Sequence, residues 1–400
     1  MLAIGHVSCV AQSTTWAERI VESFMHTYPD SIVVRKYTTH GPSEEKINKT
    51  ISRPASWDYE HGVVLKGVEK LWRETKDKKY YHYLKKNIDH FIQDDGTIRT
   101  YDLLDYNIDD IATGRIVLTL YNETKEEKYK KAAQRLREQI TWQPRTKEGG
   151  FWHKHRYPYQ MWLDGLYMAA PFYAQFSKTF NQPSYFDDVI NQFVWMEQHA
   201  RDNKTGLLYH GWDESKQQRW AHPQTGTSSE FWSRAMGWYA MGLVDVLDYI
   251  PKDHHRRKEL INILQRLSTA LKKYQDVSGV WYQITDKGTV QGNYLESSGS
   301  CMFVYAVAKG ARMGYIDKDY LMVAKNGFDG IIKNFIETDK PGYVHLLKSC
   351  SGAGLGGTPY RDGRFEYYIN EPLRTDDLKA IGPFIQASIE IELLNSTNKK

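Results

Sequence analysis

The sequence predicts an all-α protein, a single (α/α)6 barrel in which six inner helices are enclosed by six outer ones. Three observations carry that expectation. Gly-containing turns recur at Gly96, Gly150, Gly206, Gly279 and Gly342, spaced by 54, 56, 73 and 63 residues. Each interval accommodates two helices of ordinary length, about 11–12 residues, plus their connections. Between those turns two kinds of helix alternate, one polar with a single apolar stripe, the next apolar or small all round. An all-apolar helix must be buried while a striped one faces water, so the alternation sorts the helices into an inner and an outer set. Finally, small residues recur in the apolar set (Gly114, Gly165, Gly237, Gly242, Gly299), where they let packed axes approach.

In chain order, the first pair spans about Thr14 to Tyr28 (outer) and Asp58 to Glu74 (inner). Outer helices are plainest at Lys125 to Ile140 and His254 to Tyr274, both rich in helix-type charge pairs. The other inner helices are Ile111 to Tyr121, Asp164 to Phe176, Arg234 to Leu247, Ser297 to Ala311 and Ala380 to Leu393. With no short fixed period and no polar terminal repeat, a closed ring is favoured over an open solenoid. Residues 14–400 are read as this one domain, and residues 1–13 as a signal remnant or a disordered N-terminus. Their apolar run ends in small residues before Gln12, like the tail of a secretory signal, yet lacks a basic start. A periplasmic or secreted location is one expectation and a cytoplasmic one the alternative.

Composition excludes several function classes. Lys and Arg number 53 against 49 Asp and Glu, a net charge of +4 dispersed along the chain, which sets aside a nucleic-acid binder. No stretch approaches the roughly 20 apolar residues of a membrane helix, so no membrane partner is expected. Cys9, Cys301 and Cys350 have no CxxC or Cys/His spacing; a zinc site is not expected, and a single Cys301–Cys350 bridge stays open. His153 and His155 lack a third ligand at metal-site spacing, and GAGLGG (Gly352 to Gly357) has no strand before it, so neither a metal nor a nucleotide is expected. The unusual quantity is aromatic: 12 Trp, 28 Tyr and 14 Phe form 14% of a chain whose mean hydropathy is only −0.62. Such rings either fill helix contacts or line a cleft that stacks on sugars.

The polar residues at the inner-helix starts locate that cleft. They are Asp58, Tyr59, Glu60 and His61; Asn107, Asp109 and Asp110; Trp162 and Asp164; Trp232 and Arg234; Glu296, Ser297 and Ser298. Any single Asp here reads first as a helix N-cap. Asp164 has a second reading, because in HRYPYQMWLDGLYM it stands among rings and methionines. Burial there raises a carboxyl pKa while a helix N-terminus lowers it, a balance suited to general acid/base work. Asp109 holds the corresponding place one hairpin earlier, and paired carboxylates in unlike surroundings are a glycosidase arrangement. The connections add Trp152, His153, Lys154, His155, Arg156, His210 and Trp212. Arg234, framed by Trp232 and by Trp238 at i+4, suits a flat anionic ligand such as a uronic acid, although an Arg packed between rings also serves structure alone.

Five segments in order carry a resemblance: YNIDDIATGRIVLTLY, GGFWHKHRYPYQMWLDGLYMAAPFYA, TGLLYHGWDE, SSEFWSRAMGWYAMGLVDVLDYIP and SCSGAGLGGTPYRDGRFEYY. They resemble glycoside hydrolase family 105, the unsaturated rhamnogalacturonyl hydrolases, and more distantly the family 88 unsaturated glucuronyl hydrolases. The likeness runs from about Trp57 to the C-terminus, and MWLDGLYM followed by FWSRAMGW is hard to produce by chance. It implies an (α/α)6 barrel without metal or other cofactor. It also implies an acidic oligosaccharide substrate bearing, at its non-reducing end, a uronic acid with the C4=C5 double bond left by a polysaccharide lyase. By resemblance Asp164 is the general acid/base that protonates C4 and assists water addition at C5, after which the hemiketal opens and releases the aglycone. Asp109 is the second catalytic carboxylate, preferred over Asp110 from its place in YNxDxIxxGR. His153, Lys154, Met168, His210, Trp232, Arg234 and Trp238 fall on positions that line the substrate pocket.

The expected substrate is therefore unsaturated galacturonyl-rhamnose from rhamnogalacturonan, a pectin component. Two alternatives stand beside it: the same chemistry on unsaturated glucuronyl oligosaccharides from ulvan or glycosaminoglycans, and a non-catalytic toroid that binds acidic oligosaccharide. Retention of both Asp109 and Asp164 argues against the latter. An epimerase on this architecture would want paired His bases on facing inner helices, and no such pair stands at the inner-helix starts.

Overall fold

Helix follows helix in an outer-inner rhythm that the apolar pattern dictates. The computed structural model describes residues 14–41 and 49–397, so the readings of residues 1–13, Cys9 among them, lie outside the described residues. The first outer helix, α1 (Trp16–Thr27), opens with a capping box between Thr15 and Glu18. Then come inner α2 (Tyr59–Thr75), outer α3 (Lys78–Asp89), inner α4 (Gly114–Thr124), outer α5 (Glu127–Trp142), inner α6 (Leu163–Thr179) and outer α7 (Phe186–Ala200). Inner α8 (Ser233–Val246), outer α9 (Arg257–Lys273), inner α10 (Ser297–Arg312), outer α11 (Tyr320–Phe335), the short α12 (Phe365–Asn370) and inner α13 (Leu378–Thr397) complete the chain.

The ring closes. Helix α2 packs on α4, α4 on α6, α6 on α8, α8 on α10, α10 on α13, and α13 returns to α2. This is the (α/α)6 barrel expected from the alternation of polar and apolar helices. Every residue of α8 is buried, whereas α5 and α9 bury one stripe each. Close approach explains the small residues: a Cβ on Gly299 of α10 would stand 2.8 Å from the Ser233 Cβ and 3.0 Å from its backbone. Among the described residues no helix is long and apolar enough to cross a membrane. Cys301 and Cys350 are both buried free thiols, so the bridge left open by the sequence is not formed.

The structure adds short strands that the helical reading did not include. β1 (Val34–His40) and β2 (Lys49–Pro54) form a hairpin, joined in the order β2-β1-β8-β7 by two late strands. The remaining strands are β3 (Gln160–Trp162), β4 (Gly211–Asp213), β5 (Ile336–Thr338), β6 (Val344–Leu346), β7 (Ser349–Cys350) and β8 (Leu373–Thr375). Most of these have two or three residues, too few to display a period-two pattern. β3 pairs antiparallel with β4, placing Trp162 opposite Gly211. That pairing ties two outer-to-inner connections together directly at the start of α6.

Candidate active site

Asp164 is not a cap. β3 ends in Trp162, which holds the N-cap position of α6 without a side-chain cap, and the Leu163 N–H donates instead to the His210 carbonyl at 3.0 Å. Asp164 is thus the second helical residue, and its buried Oδ2 lies 3.1 Å from His210 Nε2. The contact is off the axis of a formed hydrogen bond, and neither atom has another partner among the described residues. Such pairs commonly tighten when a ligand arrives. His210 is fully buried, its ring 4.8 Å from Trp232 and 5.4 Å from Trp162. Behind it the Tyr368 hydroxyl lies 2.8 Å from Nδ1.

Asp109 stands in a 3-10 turn, Ile108–Ile111, whose cap is Asn107, so this carboxylate is not a cap either. The neighbouring connection is stitched to that turn, for the Ile108 N–H donates to the His153 carbonyl and Lys154 bridges to Asn107. Lys154 Nζ consequently sits 2.5 Å from Asp109 Oδ2, and His153 Nε2 sits 3.5 Å from Oδ1. Burial pushes the Asp109 carboxyl up, but the Lys154 ammonium, with His153 and Arg156, outweighs it and holds the group below the usual carboxylate range. Asp110 makes no such ion pair; burial and the charge of Asp109 push it up to about 7. It is therefore Asp109 that meets Lys154 and His153.

His153 links the two carboxylates. Its ring stacks on Trp162 at 4.4 Å, and the fields of both Asp109 and Asp164 act on it. Burial pushes its pKa down to about 4, so the imidazole is neutral near pH 7. Its Nδ1 has no hydrogen-bond partner among the described residues and lies against Gly165, where an added Cβ would come within 3.0 Å.

Arg234 enters from the start of α8 and is 1% exposed. One guanidinium nitrogen donates to the Cys350 carbonyl at 2.5 Å, the group lies 5.0 Å from the Trp232 ring, and Nη1 is buried without a partner among the described residues. A buried, unpaired guanidinium N–H is a ready donor for a carboxylate. Tyr59 closes the circuit: half-buried, it feels both Asp109 and Arg234 and lies edge-on to Trp238 at 6.3 Å. Trp238 in turn packs 4.9 Å from Tyr167, and Met168 is buried one turn beyond Asp164 on α6.

The structure thus joins Asp109, His153 and Lys154, pairs Asp164 with His210, and sets Trp232, Arg234 and Trp238 on the adjoining helix. Two tryptophans expected to share this cluster do not: Trp212 stacks flat on His199 of α7 at 3.8 Å, and Trp152 packs on Tyr159 at 4.7 Å. Sequence reasoning missed Tyr368 and Gln283. Gln283 accepts from Trp232 Nε1 at 3.0 Å and donates to the Tyr368 carbonyl at 3.0 Å, clamping the two together. Tyr368 ends the GRFEYY stretch, whose position after a Gly-rich loop was its signal.

A separate group, Asp187, His254 and His255, gathers donor atoms within 4.8 Å of one another. Arg256 stands 3.6 Å from the same Asp187 oxygen, and its N–H donates to His254 Nδ1, which leaves the ring proton of neutral His254 on Nε2. That arrangement is not preorganised for a cation.

Known proteins share this architecture. A 46% identical glycoside hydrolase from family 105 of C. acetobutylicum ATCC 824 superposes with a TM-score of 0.87, over 95% of this chain and 100% of that one. The unsaturated glucuronyl hydrolase of Bacillus sp. GL1 shares the fold at 13% identity, with a TM-score of 0.66 over 94% of this chain and 95% of that one. The unsaturated rhamnogalacturonyl hydrolase YesR of Bacillus subtilis (strain 168) is 28% identical over 273 residues, 67% of this chain and 74% of that protein. A sequence model of Glycosyl Hydrolase Family 88 matches residues 16–394, and the chain belongs to that family.

Proposed function

We propose that this protein removes a C4=C5 unsaturated uronic acid from the non-reducing end of lyase-generated oligosaccharides, with unsaturated galacturonyl-rhamnose from rhamnogalacturonan as its substrate. The carrying observation is Asp164, a carboxylate at a buried aromatic helix start that caps nothing and faces His210 at 3.1 Å. The likeness to YesR supports the rhamnogalacturonyl choice. The unpaired Nη1 of Arg234 would take the substrate carboxylate, and the adjoining Trp232 and Trp238 would bound the ring.

The chemistry is hydration of a vinyl ether. Asp164 gives its proton to C4, and the positive charge that develops at C5 and the ring oxygen is met by water. Addition of that water to C5 returns a proton to the Asp164 carboxylate. The resulting C5 hemiketal opens to a ketone, leaving at C1 a hemiacetal that expels the aglycone sugar. Asp109, held ionised by Lys154, would accept a hydrogen bond from a substrate hydroxyl and stabilise the cationic transition state.

The test mixes the protein with the disaccharide product of a rhamnogalacturonan lyase and follows the ultraviolet absorbance of the enol ether. Absorbance should fall with wild type and persist with Asp164→Asn, while the variant keeps its circular dichroism. In heavy water the product should carry deuterium at C4. An active Asn variant, or a product without label at C4, would remove Asp164 from the acid/base role. Loss of absorbance only with products of ulvan or glycosaminoglycan lyases would move the substrate to the glucuronyl class.

A further inference from the structure

Which Asp164 oxygen carries the proton delivered to C4 depends on the tautomer of His210, 3.1 Å from Oδ2. His210 Nδ1 lies 2.8 Å from the Tyr368 hydroxyl, and Nδ1 is the hydroxyl's one hydrogen-bond partner among the described residues. Tyr368 is fully buried. A buried O–H with a single available partner donates to it, since leaving a buried donor unpaired forfeits its hydration with nothing in return. The phenol is also not going to ionise, because burial, then the charges of Tyr367 and Asp164, raise its pKa well above the ordinary value. Nδ1 therefore accepts, and the proton of neutral His210 resides on Nε2, the nitrogen facing Asp164 Oδ2.

Resting on the proposed acid/base role of Asp164, we infer that Tyr368 is a positioning residue that fixes the His210 tautomer and thereby confines the transferable proton of Asp164 to Oδ1. With the proton on Nε2, 3.1 Å from Oδ2, that oxygen becomes the acceptor in either charge state of the carboxyl once the off-axis contact tightens around a ligand. Oδ2 is buried, whereas the Asp164 side chain as a whole is 13% exposed, so the exposed surface belongs to its other atoms. The proton accordingly waits on the open side of the carboxyl. In the opposite tautomer, bare Nε2 would draw the proton to Oδ2 and hold it in an internal hydrogen bond, away from C4.

Tyr368 itself is well restrained. Its carbonyl accepts from Gln283 Nε2 at 3.0 Å, and its ring lies 5.8 Å from Trp232, so this residue of α12 is locked to the aromatic wall of the site. Loss of the hydroxyl alone, in Tyr368→Phe, leaves that packing intact and frees Nδ1 to take the proton.

The experiment measures the His210 tautomer directly. Protein labelled with 15N-histidine is studied at pH 8 by two-bond proton–nitrogen correlation, the His210 signals being assigned by their disappearance in His210→Gln. Wild type should show a protonated Nε2 and an acceptor Nδ1. A protonated Nδ1 in wild type overturns the inference, and this arm requires no variant to fold and no substrate. Tyr368→Phe should populate the Nδ1–H form and lower kcat about ten- to a hundredfold with KM within about threefold, a share of the usual general-acid contribution. Retention of the Nε2–H pattern with wild-type kcat in this variant overturns it equally. Failure of wild type to turn over any unsaturated uronide would instead refute the proposed function, and the tautomer measurement would still judge the role of Tyr368 at His210.

Discussion

Nζ of Lys154 lies 2.5 Å from Oδ2 of Asp109, and this ion pair makes two consecutive aspartates into unlike acids. Both carboxyls lose water on burial. Only Asp109 regains the loss from a cation in contact, so it stays ionised below the usual range while Asp110 rises to about 7. Replacing Lys154 by Met removes the compensating charge and leaves the desolvation. The Asp109 pKa should move up, and the acidic limb of kcat/KM with it, so that the variant loses about tenfold more activity at pH 5.5 than at pH 8. A pH profile parallel to that of wild type would show that Lys154 does not set the charge of Asp109.

Asp110 gives the opposite linkage. Its pKa rises on folding from the ordinary 3.8 to about 7, so the folded state binds the proton more tightly than the unfolded chain. Stability from this group is complete below pH 4 and is lost as pH rises toward 7, by at most about 4 kcal/mol for a rise of this size. Asp110→Asn cannot titrate. In urea denaturation the variant should gain on wild type between pH 5 and pH 8, and an identical difference at the two pH values would contradict the raised pKa.

Much of this architecture was legible in the sequence because inner and outer helices differ in composition along their whole length. The stretch from Ser297 to Ala311, apolar or small almost throughout, can only be buried, and α10 spans it. The pairing of β3 with β4 was not legible. Three residues carry no periodicity, yet this pairing brings the His210 carbonyl to the start of α6 and His210 to Asp164. The same limit hid Tyr368, which reaches the site from 158 residues beyond its partner His210 through a short helix after an irregular loop. Tryptophan count also misled in part. Trp212 and Trp232 look alike in sequence, but Trp212 donates from its indole to the Thr225 carbonyl and stacks on an outer helix, while Trp232 faces His210.

Recognition of the uronate should depend on guanidinium shape as well as on charge. Arg234 uses one nitrogen to hold the Cys350 carbonyl and keeps Nη1 unpaired in the same buried space. A lysine can supply the charge but cannot occupy both positions in one plane. Arg234→Lys should raise KM for an unsaturated uronide by about ten- to a hundredfold, the equivalent of about 1.4–2.8 kcal/mol, with a smaller change in kcat. An unchanged KM together with a collapsed kcat would place Arg234 at the reacting centre rather than at the carboxylate.

The far end of the barrel is held by a charge cluster that the reaction does not use. Asp245 is 1% exposed and accepts from Arg115 at 2.8 Å, Lys309 at 2.9 Å and the Tyr305 hydroxyl at 2.6 Å, so helices α4, α8 and α10 meet on one carboxylate. Burial alone would raise its pKa, but Lys309 and Arg115 outweigh burial and hold it well below the usual range. Its contribution is therefore present above the ordinary carboxyl pKa and is lost as pH falls through the depressed folded value. Asp245→Asn leaves buried Arg115 without its counter-charge and Lys309 with Asp248 alone, at 2.6 Å, and should cost about 3–5 kcal/mol in chemical denaturation at pH 7. Asp245 lies three turns along α8 from Arg234, roughly 16 Å at about 1.5 Å per residue, so turnover per folded molecule should stay near wild type. A variant of unchanged stability would mean that water satisfies Arg115 and Asp248 suffices for Lys309; one that folds normally but loses turnover would extend the reacting machinery down the barrel axis.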